Sequence, residues 1–315
     1  MLKRTIVLSS QAYLKKEQDQ LVIQKGEEVN SVPIEDIGVL LLESYQVTIT
    51  QPVLSALMEH DAVVITCDAT HHPNGIMLPV SGNSIHSAIL RAQLNASKPF
   101  RKLLWTQTVK AKLLNQAALL ESIGEDAAPL KRWAKQVRSG DSTNLEGRGA
   151  QFYWDKYLPR EFGFARKREG TQPNVLLNYC YAILRAAVAR ALVSSGLHPT
   201  LGIHHRNEYN AFCLADDVME PYRPYVDALV RAVVTGEDIS EPALPADRLT
   251  PAVKKKLLGI LTADVIIEGE TKPLYVGLST TTKSLADCYA KKRRLLKYPR
   301  FTVQPVQGHV ESGVL

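Results

Sequence analysis

The sequence predicts an α+β protein, in which a small, mostly β N-terminal domain at residues 1–82 precedes a larger, all-α domain at residues 83–305. Short apolar runs rich in β-branched residues fill the first domain. In the second, apolar residues recur at intervals of three and four positions, which is the period of an amphipathic helix. The last residues, 306–315, are expected to form a flexible tail.

The predicted strands are short and are separated by turn residues. They cover residues 5–8, 21–23, 37–42, 62–67 and 76–80. A single helix interrupts them, because Gln51 and Pro52 open a segment whose Val53 and Leu57 fall on one helical face.

The predicted helices begin within residues 84–122 and continue through the rest of the chain. They cover residues 149–157, 174–195, 216–235 and 251–261, and the breakers GTQP, GLHPT and EPALPAD separate them. We therefore place the domain boundary where the strand-like texture ends, near residues 80–90.

The composition excludes several classes of protein. The 315 residues include 38 Lys and Arg against 32 Asp and Glu, a net charge of +6, and 45% are hydrophobic, which is ordinary for a globular protein. Disorder, collagen and coiled coil are thereby excluded. An excess of six cations is too small to show a polyanionic partner unless the cations cluster.

The cysteines and the apolar segments indicate a soluble cytoplasmic protein without a membrane partner. The four Cys lie far apart and form no CxxC pair, so neither a disulfide framework nor a zinc site is predicted. The N-terminus lacks the apolar core of a signal peptide. Arg185 and Arg190 interrupt the most apolar helical stretch, and charges at those depths are costly in lipid.

Three patches concentrate acids and imidazoles, and the first spans residues 142–150. There Asn144 is expected to cap a helix whose first turn contains Glu146. An acid in a first turn is also explained by the helix dipole alone. Gly147, Gly149 and Ala150 leave the helix surface bare, which permits a close neighbour.

The second patch is a loop of sequence GIHHRN at residues 202–207. Its paired His204 and His205 are either ordinary surface residues or a source of one metal ligand, since adjacent side chains seldom face the same target.

In the third patch, at residues 214–224, Asp217 and Glu220 share a helical face and repel each other. Either a divalent cation or an ion pair between Glu220 and Arg223 would relieve that repulsion. Two carboxylates with one imidazole suit Mg²⁺ or Mn²⁺ better than zinc. The motifs GxGxxG, GxxxxGK[ST] and GxSxG do not occur, so nucleotide folds and the α/β-hydrolase elbow have no support.

Four segments in this order resemble the integrase-nuclease of CRISPR spacer acquisition, CRISPR-associated protein one. They are LLWTQTVKAKLLNQ, TNLEGRGAQFYW, NVLLNYCYAILRAAVARAL and GIHHRNEYNAFCLADDVMEPYRP. The likeness runs from the first strands to about residue 240, and the wording of GIHHRN and MEPYRP is most similar to type II systems.

This resemblance implies a small β domain, a helical catalytic domain and a metal site formed by Glu146, His205 and Glu220. Asp217 becomes a fourth candidate, and His204 faces elsewhere or supports the site. The implied activity is metal-dependent DNA endonuclease and integrase chemistry, with Mg²⁺ or Mn²⁺, in which the 3′-hydroxyl ends of a prespacer duplex attack the CRISPR repeat.

The resemblance also implies partners that the residues alone cannot show. They are double-stranded DNA, namely the prespacer and the repeat, a second copy of the chain joined through the β domain, and CRISPR-associated protein two in a heterohexamer.

Basic residues are expected to hold that DNA through its phosphates. The candidates are Arg91, Lys98, Arg101, Lys102, Arg148, Arg206 and the dense run KKRRLLKYPR at residues 291–300. Two other functions stay open from the residues alone. One is a structure-selective nuclease that uses the same acids, and the other is a non-catalytic DNA-binding scaffold in which those acids are ion-paired.

Overall fold

A computed structural model describes residues 3–69, 71–80, 83–167, 172–236 and 249–302. The chain divides into two compact units, and the division falls between Ser84 and Ile85, two residues from the predicted boundary. The predicted tail at 306–315 lies outside the described residues.

The N-terminal unit contains eight strands, one α-helix and a 3-10 turn at Ile34–Asp36 among its described residues. The strands are β1 (Arg4–Leu8), β2 (Ala12–Glu17), β3 (Gln20–Lys25), β4 (Glu28–Pro33), β5 (Ile37–Leu42), β6 (Val47–Ile49), β7 (Val63–Cys67) and β8 (Pro73–Met77), and the helix is α1 (Gln51–Glu59). They form two four-stranded sheets, of order β1-β5-β7-β8 and β4-β3-β2-β6.

One apolar core joins the two sheets and α1. Strand β5 runs parallel to both of its neighbours, with Leu41 in register with Val7 and Ile65, and its residues are buried on both faces. Leu14 of β2, Leu40 of β5 and Leu57 of α1 belong to the same buried cluster. Parallel strands covered in this way carry continuous apolar runs, which is why β5 and β7 were predictable.

The helical unit contains nine α-helices among its described residues. They are α2 (His86–Leu94), α3 (Lys98–Ser122), α4 (Ala128–Gln136), α5 (Leu145–Lys156), α6 (Asn174–Ser194), α7 (Cys213–Met219), α8 (Arg223–Thr235), α9 (Pro251–Leu258) and α10 (Leu274–Tyr289). The predicted helix at 216–235 is interrupted by a 3-10 turn, Glu220–Tyr222, because Pro221 and Pro224 each lack the backbone N–H that a continuous helix needs.

The prediction of an all-α second domain is only roughly correct, because this unit also contains a β-hairpin. Strands β9 (Asp264–Ile267) and β10 (Glu270–Pro273) pair antiparallel, and Glu268 and Gly269 turn the chain with positive φ angles. The backbone N–H of Arg300 donates to the carbonyl of Ile266 over 2.8 Å and so adds a short bridge to this hairpin.

Helix α6 is long and apolar enough to cross a membrane by length and composition, but 78% of its most apolar window is buried inside the unit. That burial is typical of a core helix. The two arginines that interrupt its apolar pattern both rest on aromatic rings: Arg190 lies 4.7 Å from the ring centroid of Tyr275, and Arg185 lies 5.7 Å from that of Phe212.

Candidate active site

Glu146 is held in the first turn of α5 by two separate caps. Asn144, with φ of +51°, accepts a hydrogen bond from the N–H of Gly147 at 3.3 Å, as the sequence predicted. The carboxylate of Asp141 accepts the N–H groups of Leu145 and Glu146, each at 2.9 Å. This second cap was not predicted, because Asp141 stands outside the helix it stabilises.

Gly149 lets α5 approach α3 closely. A Cβ atom at this position would lie 2.2 Å from Cδ2 of Leu113, which is fully buried on α3. The bare surface predicted for α5 is therefore filled by a leucine of the neighbouring helix. Lys112, one residue earlier on α3, extends its ammonium to Glu146 in the first turn of α5.

Lys112 is the principal site residue that the sequence did not reveal. Its ammonium pairs with Oε1 of Glu146 and lies 2.6 Å from Oε2 of Glu220, and its side chain is only 8% exposed. A lysine within an amphipathic helix is ordinarily a surface residue, so spacing alone carried no signal. The structure shows that Glu146 and Glu220 converge on one positive charge.

Glu220 also pairs with Arg223, whose Nε lies 2.9 Å from Oε1. The ion pair that the sequence left as an alternative is therefore present. Burial alone would raise the pKa of Glu220, but the charges of Arg223 and Lys112 lower that pKa to about 2. Burial likewise opposes the charge on Lys112, and the two glutamates nevertheless raise the pKa of Lys112 above its usual value.

Asp217 holds the loop at residues 202–207, the histidine loop, through hydrogen bonds to its backbone. This carboxylate is fully buried; its Oδ2 accepts the N–H of His204 at 2.9 Å, and its Oδ1 accepts the N–H of His205 at 3.3 Å. Oδ1 also lies 2.6 Å from Nδ1 of the His205 ring. Asp217 thus faces His205 and the loop backbone, whereas Glu220 faces Lys112 and Arg223.

The two adjacent histidines have different surroundings. His204 stacks on the buried Trp105, with ring centroids 4.2 Å apart and planes 4° apart, and burial lowers its pKa. The hydrogen bond to Asp217 raises the pKa of His205, whose side chain is 45% exposed. Because Nδ1 of His205 is held by Asp217, its other ring nitrogen, Nε2, is the one left to bind a ligand.

The carboxylates of Glu146 and Glu220 and the imidazole of His205 are chemically suitable ligands for a hard divalent cation. Their donor atoms are not grouped around a single point in this structure. Over residues 3–302, where described, no group of three or more His, Cys, Asp or Glu side chains is spaced to hold a metal. Glu146 and Glu220 do meet at a cation, the ammonium of Lys112. Carboxylate oxygens with one imidazole nitrogen are suitable ligands for Mg²⁺ or Mn²⁺.

A cavity of about 610 Å³ opens beside His205. Two of the predicted DNA-binding cations, Arg101 and Arg206, line it together with Tyr209. Arg91 on α2 and Lys102 on α3 are exposed but are not among its lining residues, and neither is Lys98. Arg148 is exposed on α5, where its guanidinium lies 5.1 Å from the ring centroid of Trp133.

The basic run at residues 291–300 is partly used to hold the unit together. Arg293 pairs with Asp287 at 3.3 Å, Lys297 pairs with Glu268, and the hydroxyl of Tyr298 lies 2.9 Å from that of Thr108. Lys291, Lys292 and Arg294 are exposed. The high density of cations in this run therefore reflects both packing and surface charge.

The chain combines a strand-rich unit with a helical unit, and its similarity to known proteins places it among the CRISPR-associated proteins. The family model described as CRISPR associated protein Cas1 matches residues 5–261. The chain is also 37% identical over 302 residues to the CRISPR-associated endonuclease Cas1 of Neisseria meningitidis serogroup C (strain 8013), across 95% of this chain and 96% of that relative. The chain therefore belongs to the Cas1 family.

Solved structures share the fold across nearly the whole chain. A casposase bound to integration product matches with a TM-score of 0.78 at 20% identity, and the match covers 98% of this chain and 96% of the casposase chain. A Cas1 protein from Thermotoga maritima has a TM-score of 0.74 at 18% identity, over 91% and 97% of the two chains. A chain of a Cas6-RT-Cas1-Cas2 complex has a TM-score of 0.71 at 21% identity, over 97% and 36%.

Proposed function

We propose that this protein is a metal-dependent DNA integrase and endonuclease of CRISPR adaptation, which inserts short prespacer duplexes into the CRISPR array. The observation that carries this proposal is that Glu146 and Glu220 converge on one positive charge, the ammonium of Lys112, close to a histidine loop that Asp217 orients. The 37% identity to a relative named as an endonuclease supports the same chemistry.

Glu146, Glu220 and Nε2 of His205 would hold Mg²⁺ or Mn²⁺. When bound, the ion supplies Lewis-acid polarisation of the phosphate and favours loss of the proton from the attacking hydroxyl. His205 would act as a ligand while its Nδ1 stays hydrogen-bonded to Asp217. The carboxylate thereby fixes the ring tautomer and orientation, as partners of metal-bound histidines ordinarily do.

The reaction is a transesterification at phosphorus. The 3′-hydroxyl oxygen of the prespacer forms a new P–O bond while one P–O bond of the repeat strand breaks. The attacking hydroxyl gives its proton to solvent, and the oxygen that leaves the phosphorus takes a proton from solvent and becomes a hydroxyl. One ester replaces another, so no external energy source is required. Arg101 and Arg206, which line the cavity beside His205, would bind phosphates of the DNA there.

The assembly belongs to the same proposal. Proteins of similar fold have been solved in a Cas6-RT-Cas1-Cas2 complex and in a Cas1-DNA complex, so we infer double-stranded DNA and a Cas2 subunit as partners. We further propose that the β domain at residues 1–82 forms a homodimer, that two dimers join Cas2 in a heterohexamer, that residues 83–305 form the catalytic domain, and that the system is type II.

The test is strand joining with single-site variants. Glu146→Ala, His205→Ala and Glu220→Ala should each abolish Mg²⁺- or Mn²⁺-dependent joining of a labelled prespacer to a repeat-bearing plasmid, with unchanged far-ultraviolet circular dichroism. Normal integration by His205→Ala would refute the assignment. Cleavage of branched DNA without joining under every condition would instead assign a structure-selective nuclease.

The ion pairs of the site favour a second candidate, a non-catalytic DNA-binding scaffold. Lys112 and Arg223 already neutralise the two glutamates, as a structural ion-pair network would. Calorimetric titration with MnCl₂ distinguishes the two functions: heat that Glu220→Gln removes supports the enzyme, whereas DNA binding without any metal-dependent heat supports the scaffold.

A further inference from the structure

Lys112 contacts both of the glutamates that we propose as metal ligands, Glu146 and Glu220. We propose that its ammonium competes with the divalent cation for these two carboxylates, and that Lys112 thereby lowers the metal affinity of the site. This inference rests on the proposed function, since it concerns the same carboxylates.

The position of Lys112 is fixed by its helix. One residue later, Leu113 packs against Gly149 of α5, and three residues later Asn115 donates through Nδ2 to the carbonyl of Pro221 at 2.7 Å. Helix α3 is therefore fastened both to the helix that carries Glu146 and to the turn that carries Glu220. The ammonium reaches both carboxylates because these two contacts set the distances.

The charges then oppose each other. An ammonium and a divalent cation that share the same carboxylate oxygens repel, and the repulsion is strong where little water screens it. Glu220 and Lys112 are both buried, so screening between them is weak. The ion must therefore either displace the ammonium or bind against its field, and both reduce affinity.

The surroundings give the ammonium room to move. A cavity of about 130 Å³ adjoins Lys112 and Glu220; the acidic Asp227 lines it, and so do the basic Arg166 and Arg223. A flexible four-carbon stem can carry the charge into this space without opening the fold. Lys112 is thus a positioning residue that holds the glutamates together until a stronger cation replaces it.

Calorimetry with MnCl₂ tests the competition directly. Lys112→Met should bind Mn²⁺ at least about tenfold more tightly than the natural protein, which corresponds to about 1.4 kcal/mol. The matched control is Lys110→Met, two residues earlier on the same helix, which replaces a lysine that pairs with neither glutamate and should leave the affinity unchanged. Equal or weaker Mn²⁺ binding by Lys112→Met would overturn the inference.

A second variant and a second measurement guard against misfolding. Lys112→Gln retains a hydrogen-bond donor without the charge and must also bind Mn²⁺ more tightly. Removing the ammonium leaves the two glutamates less neutralised, so both variants should melt below the natural protein in EDTA and gain more in melting temperature from Mn²⁺. If the natural protein binds Mn²⁺ but neither variant binds it more tightly, only this inference fails; if all three proteins give no metal-dependent heat or shift, the proposed metal site fails.

Discussion

Oδ1 of Asp217 lies 2.6 Å from Nδ1 of His205, and the same carboxylate accepts the backbone N–H groups of His204 and His205. One buried side chain therefore fixes both the path of the loop and the direction of the imidazole. The family resemblance makes Asp217 a possible fourth ligand. Its contacts favour a different role, in which it acts on the reaction through His205.

Asp217→Asn should consequently retain some activity. The amide keeps one oxygen but places an NH₂ group where a second acceptor is needed, so the ring and the loop lose part of their support. We expect metal-dependent joining to fall by about 10–100-fold, the usual cost of losing such a partner. A kinetic comparison with Glu220→Ala, which should be inactive, checks this.

Asp216→Asn is the matched control for Asp217→Asn. Asp216 is the adjacent carboxylate; it accepts from Nδ2 of Asn210 at 2.7 Å, whereas the hydrogen bond of the His205 ring is to Asp217. Its replacement should leave the rate within about twofold. If Asp217→Asn were as inactive as Glu220→Ala, Asp217 would have to be counted as a metal ligand.

The histidine loop has no space for a side chain at Gly202. A Cβ atom there would lie 2.2 Å from the backbone oxygen of His205 and 3.1 Å from Oδ2 of Asp217. Because the first clash is with backbone, Gly202→Ala should displace the loop and reduce joining by at least about tenfold. Gly259→Ala, where no atom lies within 4 Å of the added Cβ, should be active, and equal rates for the two variants would show that the loop tolerates the methyl group.

Packing between α3 and α5 leads to a prediction about stability. Gly149→Ala would place its Cβ 2.2 Å from Cδ2 of Leu113, and overpacking of this kind typically costs about 1–3 kcal/mol. Urea unfolding measures the decrease in stability. Leu113→Ala alone should also lower the free energy of unfolding, because it leaves a cavity. It also removes the atom with which the Cβ added at position 149 would clash, so the double variant should lose less stability than the sum of the two single losses. Strict additivity would show that the two side chains do not meet.

The sequence predicted β5 and β7, whose residues are nearly all buried, and missed β2, β4 and β6, which have exposed residues. Strand β2 buries Ala12 and Leu14 but exposes Tyr13, and such a short alternation carries little periodic signal. The site shows the same limit. The family resemblance singled out Glu146, His205 and Glu220, whereas Lys112 acquires its contacts only from the packing of α3, which no local pattern encodes.

Asp227 should make stability depend on pH. Burial raises its pKa from 3.8 to about 7, even though the hydroxyls of Tyr153 and Tyr181 both donate to the carboxylate. Because the folded state binds this proton more tightly than the unfolded state, its contribution is complete below about pH 4 and is lost as the pH rises to about 7, by at most about 1.4 kcal/mol per pH unit. Above that pH the contribution is constant.

Urea unfolding at pH 5 and pH 8 tests the role of Asp227. The natural protein should lose stability between these values relative to Asp227→Asn, which cannot titrate. Asp155→Asn, an exposed position on α5, should behave like the natural protein. The same difference between Asp227→Asn and the natural protein at both pH values would show that Asp227 does not take up a proton in this range.

The salt dependence of DNA binding tests two groups of basic residues separately. Removing one phosphate contact should reduce the slope of log K against log salt by about 0.9. The double variant Arg101→Gln with Arg206→Gln should therefore lower the slope by about two, because both side chains line the cavity beside His205.

The exposed cations of the 291–300 run form the second group. A triple variant in which Gln replaces Lys291, Lys292 and Arg294 should lower the slope by up to about three. The control is Lys15→Gln. Nζ of Lys15 lies 2.5 Å from Oε1 of Glu17, which already neutralises its charge, so this change should leave the slope unaltered. An unchanged slope after the triple replacement would remove the 291–300 run from the DNA surface and leave it a purely structural segment.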